Sequence, residues 1–305
     1  MSKQLVKKPY TLTAVDVEIL HLVRTYHFLT VEQVLRLRGL SVNSKPMIQT
    51  KLKRLYEQKY LDRRSLPHLG TGNTAFIYAL STKAINLLKD MGFSGFSRFR
   101  PDEFRTFAFP HLEHALSLND FLIAAKLLER SVPSLSLVDM RHDLDLKKTP
   151  VKVTVERRLP YGDRIDEKVT VIPDGWLDFR QRIEGQEKRK RRCIVVELDR
   201  GTTSIAPFKE KLRAYYYYAI SEEYEALFGT KLCIVAYATT AGKDRLKQMV
   251  EWCEQELEQQ RLEHEAHLYR FASLPSGDYD PQNIFCTPLW YIPFEDEPVS
   301  LLWQV

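Results

Sequence analysis

The stretch VIPDGWLDF, residues 171–179, followed by CIVVELDRGTTSIAPFKEKLRAYYYY, residues 193–218, decides how the rest of the chain is read. Both open as apolar, β-branched runs, and each carries carboxylates: Asp174 and Asp178 in the first, Glu197 and Asp199 in the second. Strand side chains alternate with period two, so Glu197 and Asp199 project from one face and Val196 and Leu198 from the other. If the two strands are neighbours, the acids of both crowd one patch. Such crowding costs free energy through desolvation and like-charge repulsion unless a cation or positive side chains offset it. The stretch therefore asks for a metal, a basic cluster or a wet edge.

Around it the second half of the chain alternates. Leu135 to Met140 reads as a strand, Val151 to Val155 and Val169 to Phe179 as a hairpin, and Ile194 to Asp199 as the next strand. A helix from about Ala206 to Ile220, a strand Leu232 to Ala238, a charged helix from Lys243 to about His264 and a short strand Ala266 to Phe271 follow. The block EKRKRR, residues 187–192, reads as a hairpin turn between two strands, either simply solvated or gripping phosphates. The tail, with Pro275, Pro281, Pro288, Pro293, Trp290 and Trp303, reads as an ordered wrap without regular structure. Ahead of the strands, Leu112, Leu116, Leu118, Phe121, Leu122 and Leu128 predict a long buried helix, interrupted by Glu113, His114, Asn119 and Asp120.

The first third has a different character. Thr13 with Asp16, and Thr30 with Gln33, form capping boxes opening two helices; Gly39 closes the second, and Ser44 caps a third with Pro46 in its first turn. Tyr60 to Arg64 and Ala75 to Leu80 then read as two strands around a Pro- and Gly-rich turn, and a helix capped by Ser81 or Thr82 follows. Helices followed by such a β-hairpin make a winged helix-turn-helix, whose second motif helix, here Ser44 to Gln58, enters the major groove. Its outward residues, Lys45, Gln49, Thr50, Lys53 and Arg54, suit phosphates and base edges, and Arg63, Arg64 and His68 belong to the wing. Docking to a protein is the alternative use of such a module.

Charge agrees with this division. Residues 1–110 hold 18 Lys and Arg against 8 Asp and Glu, net +10, while the remainder is net −5. A basic first third points to a polyanion, here double-stranded DNA. No apolar run approaches the roughly 20 residues needed to span a bilayer, so no membrane partner is expected and a cytoplasmic protein is the default. Cys193, Cys233, Cys253 and Cys286 form no CxxC pair, so neither a zinc ribbon nor a disulfide framework is suggested.

The order helix, strands, helix, strand, with Pro173-Asp174 and then Glu197-x-Asp199, resembles the core of the PD-(D/E)xK nuclease superfamily. In that resemblance Asp174 and Glu197 are the acids, and Asp199 stands where a lysine is expected. An aspartate cannot activate water or stabilise phosphate charge as lysine does. Some members move the lysine to the next helix, which here offers Lys209 or Lys211, the latter four residues from Tyr215 on one helix face. Catalysis would then rest on Asp174, Glu197, Asp199 and Lys211, with Mg²⁺ or Mn²⁺ held by Asp174, Glu197 and Asp199. The alternative is a structural ion network through Arg200, Lys209, Lys211 or Arg213.

From about Thr11 to Tyr237 the chain also resembles the replication-relaxation family, on His114 with Asn119-Asp120, on Pro173-Asp174, and on Glu197-x-Asp199-Arg200-Gly201-Thr202. The resemblance implies a part in replication or relaxation of plasmid or other mobile-element DNA. The expected fold class is α+β: a winged helix over 1–92, a linker over 93–110, a restriction-endonuclease-like α/β domain with a mixed central sheet over 111–274, and a C-terminal wrap over 275–305. The alternatives are a non-catalytic transcriptional regulator or a protein-docking adaptor with a degenerate nuclease fold. A homodimer or replication proteins would be further partners.

Overall fold

The computed structural model describes residues 10–66, 75–94, 96, 101–158, 161, 163–183, 189–275 and 277–303. It is an α+β protein that divides into two compact units, Met1–Leu116 and Ser117–Val305.

In the first unit, α1 (Ala14–Tyr26) and α2 (Val31–Arg38) both begin on reciprocal capping boxes, Thr13 with Asp16 and Thr30 with Gln33. Each box satisfies orphan N–H groups at the helix start. Gly39 ends α2 at φ 64°, a left-handed position glycine adopts without steric cost. α3 (Lys45–Glu57) departs from expectation at its start. A 3-10 turn, Val42–Ser44, leads into it, and Ser44 already has helical backbone angles and gives no side-chain cap. Ile19, Leu20 and Val23 of α1 and Ile48, Leu52 and Leu55 of α3 are fully buried. Strands β1 (Leu61–Leu66) and β2 (Ala75–Leu80) pair antiparallel, Leu61 with Leu80 through Leu66 with Ala75. Leu29 bridges Tyr78 on the far side of β2. The turn joining β1 to β2, with His68, lies outside the described residues. α4 (Thr82–Asp90) follows, capped by Ser81.

The aromatic segment beyond α4 packs on this unit. Phe104, in a 3-10 turn at Pro101–Arg105, is fully buried and stacks on Phe28 with centroids 5.5 Å apart. α5 (Phe109–Ser131) starts just after it, and the division between units falls within α5.

The second unit is built on one mixed sheet and one separate hairpin. Its elements are β3 (Leu135–His142), α6 (Asp143–Leu146), β4 (Val151–Arg158), β5 (Arg164–Val171), β6 (Gly175–Gln181), β7 (Lys190–Asp199), α7 (Ile205–Ile220), α8 (Glu222–Phe228), β8 (Ile234–Thr239), α9 (Lys243–Gln260), β9 (Tyr269–Ser273) and α10 (Pro281–Cys286). The five-stranded sheet has the order β3-β6-β7-β8-β9. β3, β6 and β7 are antiparallel neighbours, and β7, β8 and β9 run parallel. β4 and β5 pair only with each other.

The expected strand Val169 to Phe179 is therefore two strands in two sheets. Ile172-Pro173-Asp174 breaks it, since proline has no N–H to give a ladder. α8 was not foreseen; it is a short turn of chain capped by Ser221 and closed by Gly229. α9 ends at Gln260, and a 3-10 turn at Glu263–Leu268 occupies the expected start of the last strand. The tail has more regular structure than its prolines suggested: Asp280 caps α10, Trp290 bridges Val299, and Tyr291 bridges Phe271 of β9. Proline at the first helical position, as Pro281 is, disrupts no hydrogen bond.

Under α7 the core is aromatic. Trp176, Tyr215, Tyr218, Tyr224, Tyr237 and Phe271 are all buried, and Trp176 stacks on Phe228 at 4.3 Å. Among the described residues no helix is long and apolar enough to cross a membrane.

Candidate functional site

β6 begins directly after Asp174, and β7 ends on Glu197-Leu198-Asp199. The register pairs Gly175 with Val196, which brings Asp174 beside Glu197. Asp174 Oδ2 accepts the Leu198 backbone N–H at 2.9 Å. Glu197 is only 4% exposed, and its two oxygens are bonded by Lys211 and Tyr215, both from α7. Positions 211 and 215 are one helical turn apart, so a single face of α7 delivers both donors.

Electrostatics follow from that burial. Desolvation lifts the Glu197 carboxyl from its ordinary 4.5 to about 7; Asp174 reinforces the rise, while Lys211 and Tyr215 oppose it. For Lys211, burial works against the charge, but Glu197 and Asp174 outweigh it and hold the ammonium pKa up. The charges of Asp174 and Lys211 thus act on Glu197 in opposite directions. Lys211 keeps 41% of its side chain exposed, so the cluster opens to solvent on the lysine side. Lys209, the other candidate, turns away and donates to Gln255 Oε1 at 3.0 Å.

Asp199 has a different environment from the one its motif position implied. Arg245 of α9 grips it as a fork, Nε to Oδ2 and Nη2 to Oδ1, both at 2.9 Å. Thr239 Oγ1 and the Gly201 N–H also donate to its Oδ2, at 3.0 and 2.9 Å. Burial alone would raise this carboxyl; the guanidinium and these donors outweigh it and hold the pKa below the ordinary 3.8. Arg245 Nη2 also donates to Thr203 O at 2.7 Å. Asp199 and Arg245 together therefore pin the turn from β7 into α7, and so fix where α7 presents Lys211.

Asp178 belongs to a separate cluster. It is 3% exposed, accepts a fork from Arg191 at 3.1 and 2.9 Å, and takes a further bond from Arg180 at 3.1 Å. The acids crowded in the sequence thus meet separate basic side chains: Glu197 meets Lys211, Asp199 meets Arg245, and Asp178 meets both Arg191 and Arg180.

Among the described residues no group of three or more His, Cys, Asp or Glu is gathered as a metal site would gather them. Mg²⁺ is commonly held by one or two carboxylates with water completing its shell. Asp174 and Glu197 lie together, but Lys211 and Tyr215 bond both oxygens of Glu197, so a cation there would have to displace one of them. Asp199 is held more fully still, by Arg245, Thr239 and Gly201.

In the first unit, Gln49, Thr50, Lys53 and Arg54 are exposed along α3. Thr50 donates to Pro46 O at 2.8 Å, Lys53 lies 3.8 Å from Glu57, and Lys45 is paired with Glu32 at 2.7 Å. The hairpin arginines are engaged in packing. Arg63 lies over the rings of Tyr56 and Phe76. Arg64 donates to Phe104 O and Phe107 O at 2.9 and 2.5 Å. Of the residues interrupting α5, Asn119 is fully buried, and His114 and Asp120 are half-buried.

Arg245 and Tyr237 were not singled out from sequence. Arg245 sits in a helix whose charges read as solvated, and only the need of a buried Asp199 for a cation pointed to such a residue. Tyr237 is the register partner of Glu197 on β8, and within its strand it reads as an ordinary core aromatic.

Comparisons with curated proteins and with solved structures return no match. The replication-relaxation family model matches residues 20–230, more than half of the 305, and the chain belongs to the replication-relaxation family.

Proposed function

We propose that the protein binds duplex DNA of a plasmid or other mobile element, through a winged helix in the first unit, and acts on it through a PD-(D/E)xK-like centre in the second. The order α1, α2, α3, β1, β2 supports the winged-helix reading. It leaves α3, with Gln49, Thr50, Lys53 and Arg54, as the surface for phosphates and base edges. Arg63 and Arg64 support the hairpin instead.

The observation that carries the second part is the bond from Lys211 to Glu197 beside Asp174. It is the arrangement in which a lysine displaced onto the following helix serves the acids of the sheet. Asp174 and Glu197 would hold Mg²⁺ or Mn²⁺, which when bound polarises a phosphoryl oxygen and lowers the pKa of a bound water. Lys211, exposed on its outer side, would supply positive charge where a phosphate gains negative charge. Tyr215 keeps Glu197 in its rotamer, and Asp199 with Arg245 keeps α7 in place.

A second reading, a non-catalytic replication factor, is favoured by the saturation of Glu197 by Lys211 and Tyr215 and by the aspartate at the usual lysine position. Isothermal titration of Mn²⁺ into wild type and Asp174→Ala/Glu197→Ala, followed by incubation with supercoiled plasmid, separates the two. The nuclease reading expects metal uptake and nicking in wild type, both lost in the double variant. No uptake and an intact plasmid would overturn it in favour of the second reading. DNA binding itself is tested by gel shift, where Lys53→Gln/Arg54→Gln should weaken the complex at every sequence and flatten its salt dependence.

A further inference from the structure

The β6–β7 ladder has two chemically opposite ends. At one are Asp174, Glu197 and Lys211. At the other, six residues along the ladder, Gln181 pairs with Lys190, which at ~3.4 Å per residue is about 20 Å away. The sequence from Arg180 to Arg192 holds seven Lys and Arg against two Glu, within a remainder of the chain that is net negative.

Six of those cations are among the described residues, Lys188 lying outside them, and the six are of two kinds. Arg180 and Arg191 both bond the buried Asp178, and Arg192 is turned in, donating to Leu301 O at 2.9 Å with its guanidinium over the ring of Trp303. Arg182, Arg189 and Lys190 are exposed and make no ion pair with any described residue. They sit at the end of a paired strand ladder, anchored by the Asp178–Arg191 fork. A rigid base of this kind reduces the entropy lost when side chains engage a ligand.

We propose that Arg182, Arg189 and Lys190 form a second nucleic-acid contact, binding backbone phosphates at the basic end of β6–β7. This contact is separate from the α3 surface and from the acid cluster. The inference goes beyond the function proposed above and rests only on its DNA-binding part. Guanidinium and ammonium groups that are exposed and have no carboxylate partner among the described residues fit the phosphate backbone and carry no base specificity. The contact would therefore add affinity equally on every sequence.

The test measures full-length protein binding to a duplex oligonucleotide over a range of salt, comparing wild type, Arg182→Gln/Arg189→Gln/Lys190→Gln, and Lys53→Gln/Arg54→Gln. Each lost phosphate contact lowers the slope of log K against log salt by ~0.9. The triple variant should therefore lose about 2–3 in slope, equivalent to a ~40-fold smaller drop in affinity between 50 and 200 mM salt. Its thermal unfolding should match wild type, because the three side chains are exposed. A triple variant with the wild-type slope, while Lys53→Gln/Arg54→Gln loses slope, overturns this contact and leaves DNA binding through α3 standing. Weakened binding with an unchanged slope also overturns it. A wild-type protein that binds no duplex at low salt overturns both.

Discussion

Lys211 bonds the carboxylate of Glu197 from the helix that follows the strand, fourteen residues along the chain. The pair is unequal, since Glu197 is buried and Lys211 is 41% exposed. Burial disfavours the charge on Glu197, and Lys211 limits that effect without abolishing it.

A pH dependence of stability follows. Because the folded-state pKa of Glu197 is raised from 4.5 to about 7, the native state holds a proton the unfolded chain has released between those values. Stability from this group is full below about pH 4.5 and is lost as pH rises through 7. Lys211→Met should extend the loss to higher pH, so the variant is penalised more at pH 8 than at pH 6. Urea melts of both proteins across pH 5–9 measure this. A penalty independent of pH would show that Glu197 is not the titrating group.

The Asp199–Arg245 fork gives the opposite sign. Its depressed carboxyl pKa means stability present above the ordinary value of 3.8 and lost as pH falls through the folded one. Both side chains are under 10% exposed, so Arg245→Met leaves a buried charge uncompensated and should cost about 3–5 kcal/mol at pH 7. Asp199→Asn/Arg245→Met should be less destabilised than Arg245→Met alone. Equal stability for those two variants would remove the ion pair as the cause.

Gly201 lies in the turn that this fork holds. Its φ is +79°, and a Cβ placed there would stand 2.7 Å from Ala241 Cβ. Gly201→Ala therefore combines backbone strain with a clash and should cost about 1–3 kcal/mol. Ala241→Gly in the same chain should recover the clash but not the strain. Thermal unfolding of the single and double variants reads both parts, and full recovery would mean the backbone angle carries no strain.

The path from sequence to site was readable where local chemistry decides. The Thr13–Asp16 and Thr30–Gln33 boxes and the Gly39 stop follow from spacing alone, the pairing of β6 with β7 agrees with the hairpin turn read at EKRKRR, and the mixed sheet was expected from the resemblance to the nuclease superfamily. Lys211 was reachable, beside Lys209, only through the resemblance to nucleases that carry the lysine on the following helix. What spacing could not show was the partner arriving from far along the chain. Arg245 meets Asp199 across forty-six residues, and Arg64 reaches Phe104 across forty; nothing in either local pattern distinguishes these arginines from solvated ones. Pro173 was likewise read as part of a strand because the apolar run continues on both sides of it.

Tyr215 and Tyr237 lie against Glu197 from different elements and should respond differently to loss of their hydroxyls. Tyr215 Oη donates to Glu197, so Tyr215→Phe removes a bond to a buried carboxylate and should destabilise by about 1–3 kcal/mol. That cost should be smaller at pH 5, where Glu197 is protonated, than at pH 8. Tyr237 stacks on Phe271 at 5.2 Å, and its buried hydroxyl finds no hydrogen-bond partner among the described residues. Tyr237→Phe keeps the ring and deletes a polar group already desolvated, so its stability should stay within about 0.5 kcal/mol of wild type or rise. Parallel urea titrations at the two pH values decide this. A loss above 1 kcal/mol in Tyr237→Phe would mean the hydroxyl bonds in solution, and that Glu197 is held by two tyrosines.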